Sequence, residues 1–218
     1  MGPKFGRKFT FLAENAVQNA MTTIPIPDSG EPVRARLYDA TESSHAALDA
    51  KLVPLFDQGL KGYCEFLRIS AQGVLTLERA LEEAAVGAIL PDWAERSRTK
   101  ALHADMASLG IAPPPVMDVR LPRDEAYLYG VLYVLEGSRV GGKLLARRID
   151  ESADSRIRAA TQYLRQGEGV DMWRTFLARL EASEAVKAAP DRAIRGARAA
   201  FAAFDPGIGS IPRPLTGR

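Results

Sequence analysis

The chain has 218 residues, enough for one sizeable core and one domain. Apolar residues make up 46% and the formal net charge is only +2, which gives no footing for wholesale binding of nucleic acid or of an anionic membrane surface. One cysteine, Cys64, excludes an internal disulfide and a four-cysteine zinc site and fits a reducing cytosol; two histidines, His45 and His103, limit the possible chemistry.

No run approaches the length of a membrane span, so a cytoplasmic location without membrane insertion is expected. Residues 1–30 contain Pro25, Pro27 and Gly30 and are expected to form a mobile extension. The basic start (Lys4, Arg7, Lys8) lacks a secretory core, and Met21 offers a second start, so residues 1–20 are expected to be dispensable. From residue 31 to 205 the apolar spacing is three and four rather than two, which predicts helices.

The first helix is expected over 32–55, with Leu37, Thr41, Leu48 and Leu52 on one stripe, His45 in its middle and Pro54 near its end. A second is expected over 63–85, with Tyr63, Phe66, Leu67, Val74, Leu77 and Leu81 inward. Pro91-Asp92 opens a third that runs to Leu109 and is capped by Gly110. Val116–Val119 is a weak strand candidate. A long helix follows from Pro122 to Arg148, apolar nearly all round from Tyr127 to Leu135. Shorter helices are expected over 155–165, 171–182 and 190–204, with a turn at Gly167-Glu-Gly169 and a flexible tail over 206–218. The fold class is all-α, a single-domain multi-helical bundle spanning 31–205.

The long helix carries Gly130, Gly137, Gly141 and Gly142. Each glycine inside a helix costs about 1 kcal/mol against alanine, so something requires bare backbone there. Gly130, Val134, Gly137 and Gly141 share one face. That face suits either the backbone of a second helix or a flat ligand lying against it.

His45 precedes Asp49 by one turn. A carboxylate at that spacing can accept the ring Nδ1–H and leave Nε2 to bind a metal. Glu42 and His45 also have the E-x-x-H spacing of carboxylate-bridged di-iron helices. His103 has Lys100 three residues before it, so no matching second motif exists. His103 reads as a solvated or half-buried structural residue and Cys64 as a small hydrophobe. No nucleophile elbow, P-loop or dinucleotide fingerprint occurs. One histidine backed by a carboxylate, plus a helix stripped of side chains, suggests a planar iron cofactor held between two helices.

At the level of motifs, Tyr133-Val-Leu-Glu-Gly-Ser-Arg-Val-Gly-Gly142 resembles the distal-helix signature of bacterial haem oxygenases, particularly those associated with bacteriophytochromes. Ala40-Thr-Glu-Ser-Ser-His-Ala-Ala-Leu-Asp49 resembles that family's proximal helix. Weaker similarities run from Arg98 to Gly110 and from Trp173 to Leu180. The resemblance implies a fold that holds haem between a proximal helix and a kinked, glycine-rich distal helix. It implies oxidative cleavage of haem, both cofactor and substrate, to biliverdin, carbon monoxide and ferrous iron. Molecular oxygen would be the co-substrate, and a ferredoxin or reductase the electron donor. A bacteriophytochrome is the implied recipient of the product. His45 would be the iron ligand, oriented by Asp49; Gly137, Ser138 and Gly141 would form the catalytic distal face. Thr41, Tyr133 and Gly142 would contact the cofactor, and Arg174 and Arg179 its propionates. Two positions depart from the family pattern: Ser138 stands where many members have aspartate, and Glu42 where some have lysine. The competing readings are a haem- or bilin-binding protein of the same fold without turnover, and a non-haem di-iron oxygenase using Glu42 and His45.

Overall fold

A computed structural model describes residues 32–208. The expected N-terminal extension and the tail beyond residue 208 lie outside the described residues. Within them the chain forms ten α-helices and no strand. The Val116–Val119 strand candidate is irregular backbone. No described helix is long and apolar enough to cross a membrane.

Helix α1 spans Val33–Leu52 and buries Val33, Leu37, Thr41 and Leu48. Its first N–H groups lack a local cap. Glu181 supplies one from across the bundle, accepting from Val33 N at 3.2 Å and Arg34 N at 3.0 Å. The helix stops at Leu52, and Pro54 falls in a 3-10 turn over Val53–Asp57. Helix α2, Gly59–Glu83, starts four residues before its expected position. All six of its expected core side chains are buried.

The helix expected over 91–109 is two helices, α3 (Trp93–Arg96) and α4 (Thr99–Ser108). The buried carboxylate of Glu78 breaks it. Glu78 accepts from Ser97 Oγ at 2.5 Å, Arg98 N at 2.8 Å and Thr99 N at 3.0 Å. These bonds replace the helical partners of Arg98 and Thr99 and start a new helix on a negative cap. Gly110, with φ +66°, closes α4 as expected, and Ile111 N reaches back to Met106 O at 2.8 Å.

Helix α5 runs unbroken over Glu125–Asp150. Its cap is Asp124, which accepts from Tyr127 N at 2.9 Å, so the start lies beyond Pro122. The helix expected over 155–165 is again divided, into α6 (Ser155–Ala159) and α7 (Gln162–Arg165). Tyr63 donates its hydroxyl to Ala160 O, and Asp105 accepts from Gln162 N at 3.0 Å and Tyr163 N at 2.8 Å. Both interruptions therefore come from buried polar groups on other helices. Gly167 (φ +78°) and Gly169 (φ +85°) form the expected turn into α8, Met172–Ala182. A short α9, Glu184–Ala188, precedes α10, Pro190–Phe204. Helix α10 packs most extensively on α5, and also on α1 and α2.

Candidate functional site

The glycine face of α5 is divided between two jobs. Gly130 meets the backbone of α10, where Gly196 in turn meets Tyr127; neither position has room for a Cβ. Further along α5 the situation reverses. A Cβ at Gly137 would touch only the Trp173 ring, at 3.6 Å, and one at Gly141 would have nothing within 4 Å. At Gly142 it would make ordinary contact with Leu164. Helix packing thus accounts for Gly130 and leaves Gly137 and Gly141 unexplained.

Those two glycines line a cavity between α1 and α5, closed at the sides by Phe201 and Phe204 of α10, Phe66 of α2 and Trp173 of α8. His45 and Asp49 of α1 stand in the same wall. His45 Nδ1 lies 3.1 Å from Asp49 Oδ2, and the imidazole meets the Phe201 ring edge-on with centroids 6.1 Å apart. The His45 side chain is 49% exposed. It therefore leaves the buried stripe of Leu37, Thr41 and Leu48 on which the spacing placed it. Thr41 lines the cavity, but its hydroxyl is occupied in donating to Leu37 O at 2.6 Å. Tyr133 and Gly142 also line it. Burial, and then the nearby Tyr38 and Asp39, hold the Tyr133 phenol well above its usual range, so it stays neutral.

Arg174 and Arg179 stand outside this wall. Both are exposed, and Arg174 pairs with Asp171 at 3.0 Å. Helix α8 turns Trp173, Phe176, Leu177 and Leu180 inward, which carries positions 174 and 179 to solvent. The arginines that do line the cavity are Arg98 and Arg139.

Behind the glycine segment lies a buried ion network that single-helix spacing could not show. Glu136, 1% exposed, joins Arg96 Nη1 at 2.6 Å and Arg139 Nη2 at 2.9 Å. Arg96 also holds Asp92 at 2.7 Å, and Arg139 donates to Gln166 Oε1 and Arg96 O. Burial alone would lower the pKa of Arg96, but the bonds to Asp92 and Glu136 outweigh it and raise it. Asp92 is held below its usual value by the Arg96 hydrogen bond. For Arg139 burial prevails, with Arg98 adding like-charge repulsion, and its pKa falls. Adjacent to this network, Ser138 donates to Leu135 O at 2.7 Å and accepts from Arg98 Nη1 at 2.9 Å. The one sequence signal for the network was Glu136 and Arg139 at i,i+3.

Among the described residues, no group of three or more His, Cys, Asp or Glu side chains is placed to hold a metal ion. The di-iron reading, which needs such a cluster, finds no site among the described residues. Geometry and chemistry describe instead an all-α protein with a histidine-walled, largely apolar slot beside a bare helix.

A curated heme oxygenase of Xanthomonas campestris pv. campestris (strain 8004) is 32% identical to this chain over 157 residues, covering 70% of this chain and 92% of that protein. The crystal structure of NO- and CO-bound heme oxygenase from Neisseria meningitidis superposes with a TM-score of 0.66 at 22% identity, covering 82% of this chain and 91% of that one. No family model matches the chain. The chain belongs to the haem oxygenase family and is an enzyme of that type.

Proposed function

We propose that this chain binds haem in the cavity between α1 and α5. It converts the haem to biliverdin, carbon monoxide and ferrous iron, using molecular oxygen and electrons from a ferredoxin or a reductase. The observation that carries the reading is that the His45–Asp49 pair and Gly141, whose missing Cβ faces open space, line one cavity. A helical glycine that touches nothing weakens the fold without improving its packing; a flat ligand against α5 supplies the missing reason.

When bound, haem supplies the iron that activates oxygen beside its own ring. His45 would hold that iron through Nε2. Asp49, facing Nδ1, fixes the tautomer and the plane of the ring and keeps the imidazole a good donor. On the opposite side, Gly137 and Gly141 leave helix backbone as the wall, so a small ligand there would meet no side chain from these two positions. Phe66, Trp173, Phe201 and Phe204 give the slot apolar sides, against which a flat ring would pack. Ser138 brings a hydroxyl to this region where many relatives use a carboxylate; its proton goes to Leu135 O and Arg98 donates to it, which leaves its oxygen one lone pair to orient a water. The similarity of the α5 segment to phytochrome-associated members supports a bacteriophytochrome as recipient of the product.

The test is to add hemin to the pure protein, record the Soret and visible bands, and then supply a ferredoxin system in air. A shifted Soret band that decays as biliverdin absorption grows is the expected result. A stable band under the same reduction would make the chain a carrier. No shift would remove haem from the cavity.

A further inference from the structure

We propose that Arg98 is the anion-recognising residue of this cavity. Among the described residues its guanidinium has no carboxylate partner, and it attracts a small anion bound on the α5 side of the haem. The proposal rests on the haem reading above.

Arg98 is 3% exposed and lines the cavity. Its guanidinium donates to two neutral acceptors, Ser138 Oγ at 2.9 Å and Leu135 O at 2.9 Å, and lies 5.2 Å from the centre of the Tyr163 ring. Arg98 Nε is buried with no hydrogen-bond partner. The three buried carboxylates among the described residues are all committed elsewhere. Glu78 takes the backbone N–H groups of Arg98 and Thr99, Asp105 those of Gln162 and Tyr163, and Glu136 the side chains of Arg96 and Arg139. Arg139, which lines the same cavity, feels Arg98 as like-charge repulsion and so does not compensate it.

A buried ion without a counter-ion is costly, and buried charges are ordinarily paired. If Arg98 served only to tie the start of α4 to α5, a neutral donor would do so without that cost. The guanidinium does both: two N–H groups fix it to Leu135 and Ser138, one on each side of the Glu136–Gly137 pair. Its charge, which no carboxylate among the described residues pairs, remains for a ligand in the cavity that it lines. The chemistry this favours is a small anion, such as a reduced oxygen species or a halide-sized probe, over a neutral ligand of similar reach.

The experiment uses the ferric haem complex of the full chain, titrated with azide and separately with neutral imidazole and followed by the Soret band. Arg98→Gln is expected to weaken azide about tenfold, the scale of one charge lost at a few ångströms in a partly solvated site. Imidazole affinity should change by less than about twofold. Unchanged azide affinity in Arg98→Gln, or equal weakening of both ligands, overturns the proposal. Should that variant not fold, Arg98→Lys decides. It keeps the charge but not the double hydrogen bond, so the preference for azide should persist within about threefold. Its loss overturns the proposal. A wild-type chain that gives no haem spectrum would instead remove the haem reading itself.

Discussion

Gly130 on α5 and Gly196 on α10 lie against each other's helix backbone. A Cβ on Gly130 would fall 1.8 Å from the Ala193 carbonyl oxygen, and one on Gly196 2.0 Å from that of Tyr127. The crossing pins the first half of α5, and the glycines of its second half face the cavity. The two sets should respond in opposite ways to the same methyl group. Gly130→Ala or Gly196→Ala should cost about 1–3 kcal/mol or more, because backbone must move. Gly141→Ala should stabilise the apoprotein by up to about 1 kcal/mol. Urea denaturation of the three variants measures this, and a destabilised Gly141→Ala would show that the open space is not there.

A larger side chain separates stability from binding. Gly141→Leu should leave the apoprotein folded and prevent formation of the haem spectrum, since the new side chain fills the slot. Equal haem affinity in this variant and the wild type would place the ligand elsewhere.

His45→Ala should abolish the histidine-type haem spectrum and turnover while leaving the helical circular dichroism unchanged, because His45 is half exposed and makes little of the core. Asp49→Asn should retain haem binding with altered axial-ligand bands, as the ring loses the carboxylate beside Nδ1. An unchanged axial spectrum in His45→Ala would reject His45 as the ligand.

Removing the carboxylate of the buried triad should be severe. Glu136→Gln leaves Arg96 and Arg139 without their shared counter-ion and should cost about 3–5 kcal/mol. Glu168→Gln, in an exposed pair with Arg165 at 3.4 Å, should cost no more than about 0.5 kcal/mol. Similar midpoints for the two variants in guanidinium chloride would mean that the triad is hydrated.

The cap of α5 carries a pH signature. Asp124 is held below its usual value, chiefly by the Tyr127 backbone N–H and also by Arg192. A carboxylate with a depressed folded-state pKa stabilises above its unfolded value and loses that contribution as pH falls through the folded value. Asp124→Ala should therefore cost about 1 kcal/mol near neutral pH. The cost should shrink as pH falls below the ordinary value of 3.8. Asp105 acts in the other sense: burial raises its pKa, so protonation relieves it. Measuring the difference between wild type and Asp124→Ala across pH isolates the cap, and a pH-independent difference would contradict it.

Helices α1, α2, α5, α8 and α10 were legible in the chain because each carries a long apolar stripe at helical spacing, and that spacing does not depend on neighbours. The His45–Asp49 pair was legible for the same reason, since i,i+4 positions meet on any helix. The internal breaks at Ser97-Arg98 and Ala160-Thr161 were not. They are made by Glu78, Tyr63 and Asp105, side chains that reach their targets only after other helices have packed. The positions of Arg174 and Arg179 were illegible on the same ground: composition supplied arginines on α8, and the inward face of the helix turned both to solvent, outside the cavity wall.

By itself, then, the sequence determined an all-α chain, its long helices, and the need for bare backbone along α5, because propensity and periodicity are local properties. Only the tertiary structure decided which glycine serves which purpose. Gly130 belongs to a helix crossing and Gly141 to a cavity, and the difference lies in what stands opposite each. The same holds for Arg96, Arg98 and Glu136: what each buried charge meets depends on residues about 40 positions away, brought together by packing.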